Sequence, residues 1–176
     1  MDLMTFKPLL AGMFAELYNF QWDDTNKIYI PTETHTRADP QAPQSLTDSD
    51  LPIWIIFTRN ASYPVPPDSS EERKWHETRD FDCKLFVEHG QAGIDGEAEA
   101  KVEPYLHPAL TLIHNHPLLQ EDTAPDYCPG VQRGYLVNDK GVSTLTYGDA
   151  QDKYIGLWLT VRVEVLNMEP EYAQGQ

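Results

Sequence analysis

Tyr154-Ile155-Gly156-Leu157-Trp158-Leu159-Thr160-Val161-Arg162-Val163-Glu164-Val165-Leu166 is the stretch that decides the fold. Ile155, Leu157, Leu159, Val161, Val163 and Val165 share one parity, while Tyr154, Gly156, Trp158, Thr160, Arg162, Glu164 and Leu166 share the other. A period of two is that of a β-strand, because successive side chains of a pleated chain point to opposite sides. At about 3.3 Å per residue the run spans roughly 40 Å, against a usual strand of about 5 to 6 residues. It therefore crosses the whole of a domain whose radius of gyration is roughly 16 Å. One face is wholly aliphatic and needs a cover. The other mixes aromatic side chains with Arg162 and Glu164, which suits water, a neighbouring subunit, or both in turn.

Working outward, the turn composition Gly148-Asp149-Ala150-Gln151-Asp152 predicts a hairpin between this strand and an alternating strand over Val142 to Tyr147. Val131 to Leu136 reads as a short edge strand. Trp75 to Val87 reads as a second long strand, with Phe81, Cys83, Leu85 and Val87 on its dry side and Thr78, Asp80, Asp82 and Lys84 on its wet side. Pro52 to Thr58 is almost continuously apolar, as a buried central strand is. Lys27 to Ile30 predicts a short strand closed by Pro31. Two helices complete the inventory. Thr5 to about Phe20 carries Phe6, Leu9, Leu10, Met13, Phe14, Leu17 and Tyr18 at helical spacing, with Thr5 as N-cap and Pro8 in the first turn. Gly96 to Asn115 carries Ala98, Val102, Leu106, Ala109, Leu110 and Ile113 on one stripe, and Pro104 predicts a kink or break near Glu103.

The order helix, strand, strand, helix, strand, strand predicts an α+β domain: a largely antiparallel four- to five-stranded sheet with two helices on one face, and long loops. A single domain is expected over residues 1–167, with loops at 32–50 and 119–130 and a flexible tail over 168–176. The stretch from Thr32 to Asp50 is nearly devoid of large apolar residues and reads as an exposed arm or flap. The formal net charge is −15, from 13 Lys and Arg against 28 Asp and Glu, which argues against nucleic-acid binding through a basic patch. No run approaches the roughly 18 apolar residues of a membrane helix, and Met1-Asp2-Leu3-Met4 is unlike the basic start of a secretory signal. A cytosol-like compartment is expected, with Cys83 and Cys128 as thiols.

Chemistry-bearing patterns are sparse. His107 and His114 stand seven apart, within about 20° of each other on a helix. Together with His116, Glu121, Asp122 and Asp126 they are the basis for an alternative reading as a small metal-dependent hydrolase. Against it, no two of these histidines have the four-residue spacing of a helical zinc pair. Asp80 and Asp82 share one strand face and could bring carboxylates together for acid and base work, though such pairs are more often solvated. There is no phosphate-binding glycine loop and no Gly-x-Ser-x-Gly elbow. No enzymatic activity and no cofactor is expected.

What remains is a surface suited to association. Tyr154, Trp158, Arg162 and Glu164 occupy the second face of the long strand, and aromatics with Arg are enriched at interface cores. Two readings stand: these four form an oligomer interface, or the loops over 32–50 or 60–72 cover that face within one chain.

The opening helix from Phe6 to Tyr18 resembles one found in the tail terminator (tail-completion) proteins of long-tailed bacteriophages and the related minor neck proteins. The long strand ending Leu85-Phe86-Val87 is followed by Glu97-Ala98-Glu99-Ala100 and a helix with Ala109-Leu110, similar to that family's central strand and helix. The hairpin closed by Tyr154 to Val163 resembles its closing strand. The resemblance implies a structural virion protein. It implies a ring, commonly of six copies, at the head-tail junction between the tail tube protein and the head connector. The genome passes through the lumen without specific binding, and the ring assembles in the host cytoplasm. A minor tail or neck adaptor protein is the nearest alternative.

Overall fold

The structure is a computed structural model that describes residues 3–15, 17–23, 25–26, 28–35, 37–62, 74–91, 97–115, 131–148 and 151–168. Helix α1 (Leu3–Ala15) leads into a hairpin of β1 (Tyr18–Asp23) and β2 (Ile28–His35). Then come β3 (Arg37–Asp39), β4 (Ile53–Ser62), β5 (Lys74–His89), α2 (Glu97–Asn115), β6 (Val131–Tyr147) and β7 (Asp152–Met168). The main sheet has five strands in the order β3-β4-β5-β7-β6, and the β1–β2 pair forms a separate two-stranded sheet. Only β3 and β4 run parallel; every other pairing is antiparallel. The protein is thus α+β, with the two expected helices on one face of a largely antiparallel sheet.

The long strand lies second from the sheet edge, between β5 and β6. Its aliphatic parity does what alternation requires. Ile155, Leu157, Leu159, Val161 and Val163 are all buried in one cluster with Trp54, Ile56, Phe81, Cys83 and Leu85 from β4 and β5. Both helices roof that cluster. From α1 come Phe6, Leu10, Ala11, Met13 and Phe14, and from α2 Ala98, Val102, Tyr105, Ala109 and Ile113. The Phe14 ring centroid sits 4.4 Å from that of Trp54. Arg79, 4% exposed, lays its guanidinium 5.7 Å over the Phe6 ring.

Several local expectations are corrected. Helix α1 begins at Leu3, ahead of Thr5, and ends at Ala15, because the chain turns where the Leu17 amide donates to the Phe14 carbonyl at 3.2 Å. Tyr18 and Phe20 then belong to β1. Pro31 does not close β2, which runs on to His35 with Phe20 opposite Pro31. In a two-stranded ribbon each strand has one unpaired edge, where a missing amide donor is tolerated. Val131–Leu136 and Val142–Tyr147 are one strand, not two: β6 continues through Asn138-Asp139-Lys140 by register shifts at Leu136/Asn138 and Asp139/Gly141. Gly141, with φ +62°, supplies the left-handed residue that such a bulge needs. Helix α2 is one element from Glu97 to Asn115 with Pro104 and Pro108 inside it, not two pieces.

The segment expected as an exposed arm over 32–50 is only partly exposed. Its first residues belong to β2 and its Arg37–Asp39 to the sheet. Past Asp39 the chain leaves the sheet edge and crosses the second face as a strap. Leu46, 7% exposed, is buried there with Ile53, Ile55, Phe86, Leu145 and Tyr154. The strap is fastened by Arg37 to Asp50 (3.0 Å), by the Tyr147 hydroxyl donating to the Pro43 carbonyl, and by a turn in which the Thr47 amide and hydroxyl both donate to the Asp50 carboxylate (2.9 and 2.7 Å). The loop expected over 119–130 lies outside the described residues, as does the tail expected over 168–176 except for Met168, which ends β7.

Candidate assembly surface

The second face of the sheet has two halves. At one end the strap seals it: Tyr154 is 1% exposed, edge-on to Phe86 (5.5 Å between centroids) and tilted against His89 (4.4 Å). Burial raises its phenol pKa, and Asp152 and Asp48 add to the effect. Tyr154 is therefore a core residue of its own chain, which corrects its assignment to an oligomer interface. The alternative, that the 32–50 region covers the face, holds for this end.

The other half is built by direct cross-strand pairing of β5 with β7. Asp80 stands opposite Arg162, Asp82 opposite Thr160, Lys84 opposite Trp158 and Phe86 opposite Gly156. Side chains directly opposed in an antiparallel pair lie about 4.5–5.5 Å apart at Cβ, so their chemistry either matches or conflicts. Here every rung matches. Arg162 grips Asp80 with two bonds, Nε to Oδ1 at 2.7 Å and a terminal nitrogen to Oδ2 at 2.8 Å. The Thr160 hydroxyl donates to Asp82 Oδ1 at 2.8 Å. Lys84 Nζ lies 4.1 Å from the Trp158 ring centroid and 5.1 Å from that of Phe57 on β4, a cation held between two π faces. Phe86 stands opposite Gly156, where an added Cβ would run into the Leu85 carbonyl oxygen and the Leu145 side chain.

Arg59 is the fifth charged group to join this ladder. It is the extra residue where the β4–β5 register shifts between Thr58 and Asn60, and a bulge re-aims the side chain it carries. Its guanidinium comes within 4.0 Å of Asp82 while 44% of the side chain stays exposed. Trp158, Arg162 and Glu164 are half-buried, so three of the four expected interface residues lie on the more open half.

Asp80 is held as a paired carboxylate. Hydrogen bonds from Arg162 hold the Asp80 carboxyl below the usual aspartate value, outweighing its desolvation. A general acid or base needs the opposite environment, burial away from a cation. His107 and His114 are exposed on α2. His116, Glu121, Asp122 and Asp126 lie outside the described residues, and among the described residues no three His, Cys, Asp or Glu side chains converge as a metal site would. No helix among the described residues is long and apolar enough to cross a membrane.

The polar parity of β5 is legible in its alternation, but it is not a wet side: Asp82 is buried and Thr78, Asp80 and Lys84 are half-buried. What sequence could not supply was the register that sets Asp80 against Arg162 and Lys84 against Trp158. Phe57 and Arg59 were missed because an apolar run followed by a loop gives no sign of a bulge. No protein-family model matches the chain, and no curated protein matches it either.

Proposed function

We propose that this chain is a structural subunit that assembles with copies of itself into a ring, and that the ring is the tail terminator at the head-tail junction of a long-tailed bacteriophage. The observation that carries the proposal is the cross-strand ladder of β5 and β7. It presents Lys84, Trp158 and Arg162 half-buried, already fixed by Lys84–Trp158 and Arg162–Asp80 and backed by the buried Thr160–Asp82 bond. Groups so held lose little further conformational freedom when a partner settles on them, which favours association over chemistry. The order of the long elements supports the same family of ring proteins by analogy of fold alone. The net charge of −15 supports it from another side, since an acidic lumen lets DNA slide past without adhering.

On this reading the partners are sister copies, commonly six, with the tail tube protein on one side and the head connector on the other. The site of action is the virion neck, and the chain performs no catalysis. The experiment is proteomic analysis of purified particles from the phage that makes this chain, with symmetry-averaged electron microscopy of the neck. The chain is expected in every tailed particle, as one ring at the head-proximal end of the tube. Its absence from purified particles overturns the proposal.

A further inference from the structure

Copies that each carry −15 repel one another, so contact between them requires a place where acidic surface meets cationic surface. On the ladder face the acidic excess is cancelled, and an exposed cation, Arg59, borders it. Arg59, Lys84 and Arg162 gather there opposite Asp80, Asp82 and Glu164, which leaves this patch balanced on a strongly acidic chain. Arg162 is neutralised by its two bonds to Asp80, whereas Arg59 is 44% exposed and approaches Asp82 only to 4.0 Å. Arg59 also stands at a border of the sheet. Strand β3 covers β4 only from Ile53 to Ile55, and among the described strands none pairs with the outer edge of β4 from Ile56 to Ser62.

The complementary surface lies on the opposite side of the same molecule. Helix α2 roofs the other face of the sheet and turns Glu99 and Glu103 outward, both exposed. Carboxylates four residues apart on a helix repel each other. The lysine of this helix, Lys101, reaches Glu88 at 2.7 Å and Glu97 at 3.9 Å.

We infer that the Phe57–Arg59–Lys84 patch of one copy receives the Glu99 and Glu103 side of α2 from the next copy. This rests on the assembly reading above and names the two surfaces it uses. Because they lie on opposite sides of the sheet, the contact is head-to-tail, the kind that closes into a ring when the rotation permits. Like-charge repulsion between the two glutamates is relieved when a guanidinium arrives, and Trp158 beside Lys84 supplies aromatic area at the centre of the contact.

The test uses the full-length chain in four forms: wild type, Arg59→Glu, the pair Glu99→Arg with Glu103→Arg, and all three changes together. Mass photometry or sedimentation velocity gives the self-association constant of each. Circular dichroism and thermal melting check that each form is folded, which is expected because all three positions are exposed. Each single-sided reversal should weaken self-association by about tenfold or more, and the triple variant should recover most of it. An equimolar mixture of the two defective forms should assemble, since each then offers the surface that the other lacks. If wild type assembles but single-sided reversals leave the constant unchanged, or the triple variant is no better than either, the inference fails while the assembly reading stands. A wild type that stays monomeric at every concentration overturns the assembly reading itself.

Discussion

Gly156 shows how tightly the sheet is set at the level of single residues. A Cβ at this position would run into the Leu85 carbonyl oxygen and meet Leu145 Cδ1 at 2.6 Å, and the first of these is backbone that cannot step aside. Gly156→Ala is expected to cost about 3 kcal/mol, the upper part of the range for overpacking, as read by urea or thermal unfolding. Asp80 makes a pH-dependent contribution. Its carboxyl lies below the ordinary value of 3.8 in the folded chain, first through hydrogen bonds from Arg162. A depressed folded value means that the stabilisation is complete above the unfolded value and disappears as pH falls through the folded one. Asp80→Asn should therefore be less stable than wild type near neutral pH, with the gap closing as acid titrates the pair. Denaturant midpoints collected across pH check this, and a gap constant down to strong acid contradicts it. Cys83 is fully buried, and desolvation pushes its thiol well above the usual cysteine value. In a Cys128→Ser variant it should stay unreactive toward a thiol reagent until denaturant is added.

At the scale of elements, burial periodicity was the readable signal and connectivity the hidden one. The alternation of Tyr154 to Leu166 gave both faces of β7 correctly, because one parity is aliphatic without exception. Helix α1 was drawn too long because Leu17 and Tyr18 continue the helical spacing. Yet Tyr18, Phe20 and Trp22 also alternate with Asn19, Gln21 and Asp23, and that shorter period prevailed. Strand β6 was divided at Asn138-Asp139-Lys140-Gly141 because those letters spell a turn. A strand at the sheet edge absorbs them as bulges, at no cost to a second neighbour. The strap over the second face was invisible because a single buried leucine in a polar segment carries no period. Its weight can be measured. Leu46→Ala should cost about 2–3 kcal/mol and expose Tyr154, raising the tyrosine's quenching by acrylamide; unchanged stability and quenching would mean that the strap is ornamental. On the other face, Phe14→Ala should cost about 3–5 kcal/mol, since α1 is held to β4 through the tilted packing of Phe14 on Trp54.

At the scale of the whole molecule, one sheet carries two layers of unequal completeness. The helical side is a closed core in which aliphatic side chains of three strands meet both helices. The opposite side is sealed at the Tyr154 end by the strap, and beyond it Trp158, Arg162 and Glu164 stay half-buried around the buried Thr160–Asp82 pair. Sequence alone identified the second face as the one to watch, but it placed Tyr154 and Trp158 in the same role. Three-dimensional packing separates them, because Tyr154 is buried inside the strap's cluster while Trp158 packs against it and stays half-buried. The central claim is that the half-open part of this face is a contact between sister copies, so the most direct measurement is the mass of the purified chain in solution over a concentration series into the tens of micromolar. A discrete closed species is predicted, at about six times the 20.1 kDa of one chain, forming as concentration rises. A single 20.1 kDa species at every concentration would contradict the claim.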